Sequence, residues 1–470
     1  MKTDMNNQTV DFRRRRSHAV DDSENFDTEQ AKFEHNDAEE ELDNLDILST
    51  SGAKKGETSV LQTYLNMFKC FIGIGILATP SALRNVGVVA GSLAILFCGC
   101  LNLYTMKMQI DCKNKMGSHV TSYSELGFAV FGPPGKAFVD LCITVSQFGF
   151  CIAYLLFVGN QLDQVICIET QQDYCGLKSS YIIVGALILV PVCWLKTFKF
   201  LAYVSFFANI SIIFALIVIL TYGEDSYVHN PELHSNLRYF EVSQLPLFFG
   251  IAVFNFEGNG VILNIQSSMK DPDEFPKIMR NTLIAVITLL ILFSASAYES
   301  FGYHISDMVT MNLPHDNLTT SVQLVYCIGL LGSYPMQVLP AIDITEKTEC
   351  FLGMGNPFEK LGRKWSYGKN IVLRTLIVIM TGVLATIIPK FGLFINLTGA
   401  FACTALAFVL PIMMYNKVFA DELTAKRKAF HVFLIVFGSI SGLISFVMSM
   451  IEIVKAFSET EVSVDIEGSG

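Results

Sequence analysis

The chain has 470 residues, of which 51% are hydrophobic and 16% are charged, and its mean hydropathy of +0.45 is too high for an ordinary soluble protein. The net charge of −10 comes largely from an acidic N-terminal tail, and no basic surface predicts a nucleic-acid partner. The twelve cysteines lie mostly in apolar runs without metal-ligand spacing, so no metal or other cofactor is expected. The composition predicts an all-α polytopic protein that lies in the lipid bilayer.

The first 58 residues are polar and contain RRRR at Arg13–Arg16, followed by a dense run of acids. They have no sustained apolar stripe, which predicts a disordered cytosolic tail, and the polar start of the chain does not predict a cleaved signal peptide. An alternative is a trafficking or regulatory arm, because Asp43 precedes the Ile47–Leu48 pair with acidic-dileucine-like spacing.

Sustained apolar runs after the tail predict about eleven transmembrane helices within residues 59–457, followed by a short acidic C-terminal tail at 458–470. The runs are Gln62 to Val86, Val89 to Met108, Ala137 to Val165, Tyr181 to Leu195, Phe200 to Tyr222, Val242 to Met269, Lys277 to Phe301, Thr319 to Ile344, Ile371 to Ile388, Gly392 to Tyr415 and Ala429 to Phe457.

Basic residues in the loops predict the orientation of these spans. One set of loops holds Lys54, Lys55, Lys113, Lys115, Lys196, Lys199, Lys270, Lys277, Arg363, Lys364 and Lys426–Lys428. This side is assigned to the cytosol, together with the N-terminus. An odd number of spans then places the C-terminus on the opposite side.

Spans one and six are both interrupted. GIGILATP, from Gly73 to Pro80, has two glycines and a proline within about two helical turns, and FNFEGNGVIL, from Phe254 to Leu263, has two glycines and a glutamate. Freed backbone groups cannot face lipid, so each break must be buried or line a cavity. Breaks at corresponding places in two halves are typical of a secondary transporter, and they pair spans one to five with six to ten as inverted repeats.

Two features of the predicted outer loops agree with this topology. Asn317-Leu318-Thr319 is a sequon between spans seven and eight, which predicts a glycan on Asn317. Cys167 and Cys175 lie between spans three and four, where oxidation is possible, and they form a candidate disulfide. The alternative is that both remain free thiols.

The chain resembles the amino acid/auxin permease family of eukaryotic amino acid transporters, particularly its proton-coupled and vacuolar-export branches. The resemblance is carried by GIGILATPSALRNVGVVAG, FNFEGNGVIL followed by MKDPDEFP, SYPMQVLPAIDITE, and LFINLTGAF followed by Leu410-Pro411. It implies a LeuT-type 5+5 inverted-repeat fold, with a small amino acid bound between spans one and six. It also implies a vacuolar, lysosomal or plasma membrane location.

An amino acid needs donors for its carboxylate and acceptors for its ammonium, and helix ends supply both. We assign the carboxylate to amides of the first break and the ammonium to carbonyls of the second break. The residues assigned to the substrate are Gly73, Ile74, Gly75, Ile76, Phe254, Asn255, Phe256 and, as a wall from span three, Ser146. Phe150 is a second wall candidate, although packing alone also explains it. The alternative for the glycines is close helix crossing.

Three residues are candidates for ion coupling. Asn66 stands where the proton-coupled branch usually has a histidine, so coupling through a histidine at that position is not expected. Glu257 is an acid at the centre of an interrupted span, where an ionised carboxylate is costly unless it has a function or a partner. Lys69 lies close to where sodium-coupled relatives have an amide side chain, and its ammonium would repel sodium. The alternatives are a structural cap for Glu257 and snorkelling to the interface for Lys69.

These residues predict a secondary active transporter that moves small neutral amino acids by alternating access, as a symporter with H+. The alternatives are sodium-coupled or facilitative transport, and an amino acid sensor that signals through its tail. An enzyme is not expected, because neither a paired-histidine metal motif nor a Gly-x-Ser-x-Gly elbow occurs in the sequence.

Overall fold

The structure is a computed structural model, which describes residues 56–467 apart from 57, 118, 172, 195–197, 230–236 and 349–367. The predicted N-terminal tail, except Gly56 and Thr58, lies outside the described residues. The described chain is built from helices, so the predicted all-α class is confirmed. Within these described residues, a single β-bridge joins Thr58 to Met269.

Fifteen α-helices follow one another along the described part of the chain. They are α1 Val60–Phe71, α2 Gly75–Val86, α3 Val88–Met116, α4 Tyr123–Phe131, α5 Pro133–Glu169, α6 Lys178–Trp194, α7 Phe198–His229, α8 Leu245–Asn255, α9 Ile262–Ser268, α10 Phe275–Phe301, α11 Asn317–Glu346, α12 Gly368–Ile387, α13 Phe391–Thr398, α14 Leu410–Val418 and α15 Ala425–Glu467. Two π-helical segments, Gly399–Cys403 and Ala405–Val409, connect α13 to α14.

Eight helical stretches of the described chain are long and apolar enough to cross a membrane, and the bent pair α1–α2 makes a ninth. Two shorter apolar helices, Lys178–Trp194 and Val242–Asn255, lie where spans four and six are predicted. The number of eleven and the five-plus-five repeat remain predictions. One difference is that α15 continues to Glu467, ten residues past the predicted end of the last span at Phe457.

The first break separates α1 from α2. Ser59 caps the start of α1 in a reciprocal capping box with Gln62, and α1 ends at Phe71, before Ile72, whose backbone is extended (φ −93°, ψ 95°). The two helices are bent by 45°. Pro80 lies inside α2, where it lacks an N–H for the helix ladder, while Thr79 Oγ1 donates to the Gly75 carbonyl at 2.8 Å. The predicted interruption of span one is confirmed.

The second break separates α8 from α9 and lies against the first. Residues 256–261 between these helices are non-helical, and 256–259 are buried. Gly258 allows the approach of the two breaks, because a Cβ there would lie 2.7 Å from the Phe71 ring. The backbone of Thr58 is hydrogen-bonded to Ser268 and Lys270 at the end of α9. The breaks of spans one and six therefore meet, as their pairing requires.

The long helices α5 and α11 pack against each other. Pro335 and Pro340 interrupt the hydrogen-bond ladder of α11, and the Tyr334 hydroxyl is hydrogen-bonded to Thr381 Oγ1 of α12 at 2.5 Å. At the end of α5, Cys167 is joined to Cys175 as a disulfide.

The predicted outer loop between α10 and α11 offers a test of topology. Asn317 is the exposed first residue of α11, and its neighbour Asp316 caps that helix by accepting from the Thr319 N–H at 2.7 Å. Asn317→Gln should abolish a glycan-dependent shift in gel mobility, whereas Asn396→Gln, at a sequon buried within α13, should leave that shift unchanged.

A tag at the N-terminus should react with antibody only after the cytosolic face is opened. Antibody access to this tag from the opposite face would invert the predicted orientation. If the glycan-dependent mobility shift persists in Asn317→Gln, the glycan is attached to a residue other than Asn317.

Candidate substrate site

The two breaks, together with α1, α5, α9 and α11, enclose a cavity of about 430 Å³. Its size is within the usual range for a small-molecule site, roughly 300–1,000 Å³. Eight of the residues predicted to bind substrate or ion line this cavity: Asn66, Lys69, Gly73, Ile74, Gly75, Phe254, Asn255 and Glu257. The wall candidate Phe150 also lines it, and its ring lies 4.4 Å from that of Phe254.

Three predicted substrate residues are not in the cavity wall. Ile76 is buried one residue inside α2, and the side chain of Ser146 is buried with its hydroxyl donating to the Ile143 carbonyl at 2.9 Å. The Phe256 ring packs towards α3, because a Cβ on Gly99 would lie 3.0 Å from it. The Phe256 carbonyl accepts from Asn102 Nδ2 at 2.5 Å. The structure therefore gives these three residues packing and backbone roles away from the cavity.

Backbone amides are available at the first break. The N–H of Ile76 donates to the Gly73 carbonyl at 3.4 Å, and that of Leu77 to the Ile74 carbonyl at 3.1 Å. The amides of Gly73, Ile74 and Gly75 precede the first full turn of α2, and such amides lack an acceptor within their own helix. An ideal Cβ on Gly73 would meet no atom within 4 Å, so this glycine borders open space. A carboxylate placed there would meet N–H groups at the positive end of a helix.

Asn255 connects the two breaks. Its Nδ2 donates to Thr79 Oγ1 of α2 at 3.0 Å and to the Ile251 carbonyl at 2.8 Å. Its Oδ1 is buried, has no hydrogen-bond partner in the described part of the chain, and lies beside Gly75, where a Cβ would be only 2.6 Å away. Both Nδ2 protons are used, so the amide is held with a free acceptor between the breaks. This orientation leaves an oxygen available to a cationic group.

Glu257 is the buried acid of the cavity. It is 6% exposed, its Oε1 accepts only a long bond of 3.4 Å from the Gly260 N–H, and its Oε2 has no partner within the described part of the chain. A buried carboxylate in this environment is costly when ionised, and a proton on it would remove the charge. The carboxyl is thus suited to carry a proton.

Lys69 lies in the last turn of α1 and lines the same cavity. Its Nζ approaches Met336 Sδ of α11 at 3.7 Å. The side chain is half-buried and reaches from α1 to α11. A role of Lys69 in coupling and its snorkelling to the interface both stay predictions.

Several lining residues were not identified from the sequence. Gln337 Nε2 of α11 donates to Gln147 Oε1 of α5 at 2.7 Å, which gives the wall opposite the breaks a pair of neutral amides. Tyr154, Ser333 and Met336 also belong to this wall. Ser333, Met336 and Gln337 belong to the segment SYPMQVLPAIDITE, which carries part of the family resemblance. That resemblance was the one feature of the sequence that could have identified them as lining residues. Gln147 follows Ser146 by one residue, which rotates it by about 100° around the helix.

Known proteins are similar to this chain over most of its length. Residues 56–455 match the family described as transmembrane amino acid transporter protein. Amino acid transporter ANT1 of Arabidopsis thaliana is 29% identical over 394 residues, which cover 82% of this chain and 90% of that protein. Amino acid transporter AVT3C of the same plant is 30% identical over 386 residues, which cover 78% and 84%.

A yeast protein and a solved structure are also similar to the chain. Vacuolar amino acid transporter 3 of Saccharomyces cerevisiae is 29% identical over 396 residues, which cover 82% of this chain and 56% of the yeast protein. The crystal structure of MhsT in complex with L-phenylalanine covers 86% of this chain and 99% of its own, with a TM-score of 0.46 and 13% identity.

The family match spans the helices that carry both breaks and the cavity between them. Its members are transporters rather than enzymes, which agrees with the sequence-based expectation. The chain belongs to the transmembrane amino acid transporter family and is a multi-pass membrane protein.

Proposed function

We propose that the chain is a proton-coupled symporter that moves small neutral amino acids by alternating access around the cavity between the two breaks. The observation that carries this proposal is the buried carboxyl of Glu257, whose Oε2 has no partner among the described residues and which faces the same cavity as the amides of Gly73 and Gly75. Proton binding to Glu257 would neutralise a buried charge and favour closure around the substrate.

The charges of the cavity support a neutral substrate. Its described lining contains one basic side chain, Lys69, and one acidic side chain, Glu257. The α-carboxylate and α-ammonium of an amino acid would meet the helix ends and the free Oδ1 of Asn255. The substrate side chain would then face the neutral amides Gln147 and Gln337. A charged substrate side chain would find no dedicated partner in this wall.

Alternating access is supported by the contrast between the two ends of span one. The cavity extends along α1 to Gln62 near the predicted cytosolic face. At the other end, Arg84 Nη1 of α2 donates to the Ile305 carbonyl at 2.7 Å, and Ser81 Oγ donates to the Asp307 carbonyl at 3.3 Å. These direct hydrogen bonds would hold that end closed. Opening that end and closing the other would carry substrate across.

Protons are favoured over sodium by the lining of the cavity. A sodium ion needs several oxygen ligands, and the Lys69 ammonium would repel it at this depth. We further propose a vacuolar or lysosomal membrane with the N-terminus in the cytosol, since relatives are named vacuolar transporters. The sensor alternative depends on residues 1–58, nearly all outside the described chain.

Uptake by the purified full chain in liposomes tests this function. The twenty common amino acids would compete for uptake at two pH values, with and without sodium. Small neutral amino acids should compete best, and an inward proton gradient should drive their accumulation without sodium. A strict sodium requirement, or a preference for lysine, arginine, aspartate or glutamate, would contradict the proposal.

A further inference from the structure

Helix α3 has a buried polar face that follows the second break. Asn102, Gln109 and Lys113 are spaced by seven and then four residues, which places them on one side of the helix. All three are buried, with exposures of 0%, 0% and 8%. Polar side chains at this depth are costly unless they are hydrogen-bonded. The hydrogen-bond partners of these three side chains therefore indicate their role.

Each of these side chains bonds to the non-helical segment or to α9 behind it. Asn102 Nδ2 donates to the Phe256 carbonyl at 2.5 Å, and Gln109 Nε2 donates to the Asn259 carbonyl at 2.9 Å. Asn259 Nδ2 in turn donates a longer hydrogen bond to Gln109 Oε1 at 3.4 Å. Two carbonyls that the helix break leaves without a helical partner are thus satisfied from α3.

Lys113 holds the far end of the same segment. Its Nζ donates to Gln266 Oε1 at 3.1 Å and to Ser267 Oγ at 2.7 Å, and it lies 3.4 Å from the Leu263 carbonyl. These partners belong to α9, where a cation near the C-terminal end is favoured by the helix dipole. The sequence placed Lys113 among loop residues that set orientation, whereas here it is a buried contact between two helices.

Glu257 lies between the first two of these contacts. The carbonyl of Phe256 before it is held by Asn102, and the carbonyl of Asn259 after it is held by Gln109. Its backbone is therefore fixed on both sides by α3. Among the described residues, its own carboxyl accepts only the long bond from the Gly260 N–H at 3.4 Å.

We propose that Asn102, Gln109 and Lys113 are positioning residues for transport, which attach the second break and α9 to α3 and so hold the break in the geometry that binds substrate and proton. This inference rests on the proposed function, because it assigns the attached segment to substrate and proton binding. The three residues act through the segment and do not line the cavity.

The test uses two substitutions to methionine, each with a matched control in the full chain. Gln109→Met and Lys113→Met remove contacts to the segment. Gln164→Met removes a comparable bond to the Met311 carbonyl, far from the segment, and Lys115→Met removes an exposed ion pair with Glu422. The measurements are hydrogen–deuterium exchange of residues 256–268, and KM and kcat for uptake of the amino acid that the unmodified chain accumulates best.

Both test variants should exchange faster over 256–268 than their controls, and should raise KM about ten-fold with kcat changed less than about three-fold per folded molecule. Unchanged exchange in both test variants would overturn the attachment. Faster exchange with unchanged KM would show that the contacts are only structural and would overturn the proposal that these residues position the segment for transport. If Gln109→Met does not fold, Lys113→Met decides both points.

Failure of the proposed function gives a different result. If the unmodified chain accumulates no amino acid while both test variants exchange faster than their controls, the attachment to α3 is supported and the transport function is rejected.

Discussion

Glu257→Gln is expected to retain exchange of amino acid across the membrane and to lose accumulation driven by a pH gradient. The amide has nearly the shape of the protonated carboxyl, and it carries no charge in a position where no described residue is a partner of Oε2. The variant should therefore bind substrate as the protonated chain does. It cannot release a proton on the other side, so the gradient no longer drives transport.

The size of this effect follows from the energy of the gradient. One pH unit stores about 1.4 kcal/mol per proton, which supports up to about ten-fold accumulation of a co-transported neutral substrate. In Glu257→Gln the ratio of internal to external amino acid should fall to about one, while counterflow of labelled amino acid continues. Glu274→Gln, at an exposed position just before α10, is the matched control and should keep the full accumulation.

Accumulation by Glu257→Gln equal to that of the unmodified chain, with the same pH dependence, would make Glu257 a structural cap. Loss of both accumulation and counterflow in a folded variant would also contradict the proposal, since the amide should still support binding and exchange.

The second large effect separates the two glycines of the first break. Gly73→Leu should abolish binding of amino acid without unfolding the protein, because a Cβ at this position meets no protein atom within 4 Å and the larger side chain would occupy the space assigned to the carboxylate. Gly75→Leu should impair folding as well, because its Cβ would lie 2.6 Å from Asn255 Oδ1 and 3.0 Å from the Phe254 ring.

Binding and thermal unfolding, measured on the same purified samples, distinguish these outcomes. Gly73→Leu should reduce affinity by more than about 100-fold, with an unfolding temperature in the absence of amino acid within about 2 °C of the unmodified chain. Gly185→Ala, in α6, is a control, because its added Cβ would make only ordinary contacts at 3.7 Å with Leu155 and Leu331. Near-normal affinity in Gly73→Leu would place the carboxylate elsewhere.

Local sequence was sufficient to predict the two breaks and most of the residues at them. Glycines in GIGILATP and FNFEGNGVIL weaken a helix wherever it packs, so Gly73, Gly75 and Asn255 could be identified without a structure. The candidate pair Cys167 and Cys175 also lies close along the chain, and the structure joins it. These predictions depend on short-range chemistry.

Side-chain direction around a helix end could not be predicted in the same way. Phe256 and Glu257 are adjacent, yet the Phe256 ring packs towards Gly99 of α3 while Glu257 lines the cavity. Ser146 and Gln147 are likewise adjacent on α5, and only Gln147 lines the cavity. Adjacent residues on a helix point in directions about 100° apart. When all faces of the helix are apolar, the hydrophobicity pattern does not show which of the two faces the cavity.

Long-range pairs were also beyond the sequence. Gln147 and Gln337 are separated by 190 residues, and Gln109 and Asn259 by 150. Neither member of a pair has a distinguishing local pattern, because a buried amide is explained only by the partner that folding brings to it. Lys113 is a further case, since its position near a helix end fits a loop role until α9 packs beside it.

Amino acid-driven proton movement in sodium-free liposomes tests the central claim most directly. The purified chain would be reconstituted with a pH-sensitive dye inside, and a small neutral amino acid would be added outside with no initial pH difference. The account predicts acidification of the interior, no acidification in liposomes that contain Glu257→Gln, and none for D-mannitol as a solute control. Amino acid uptake by the unmodified chain with no change in internal pH would contradict proton coupling at this site.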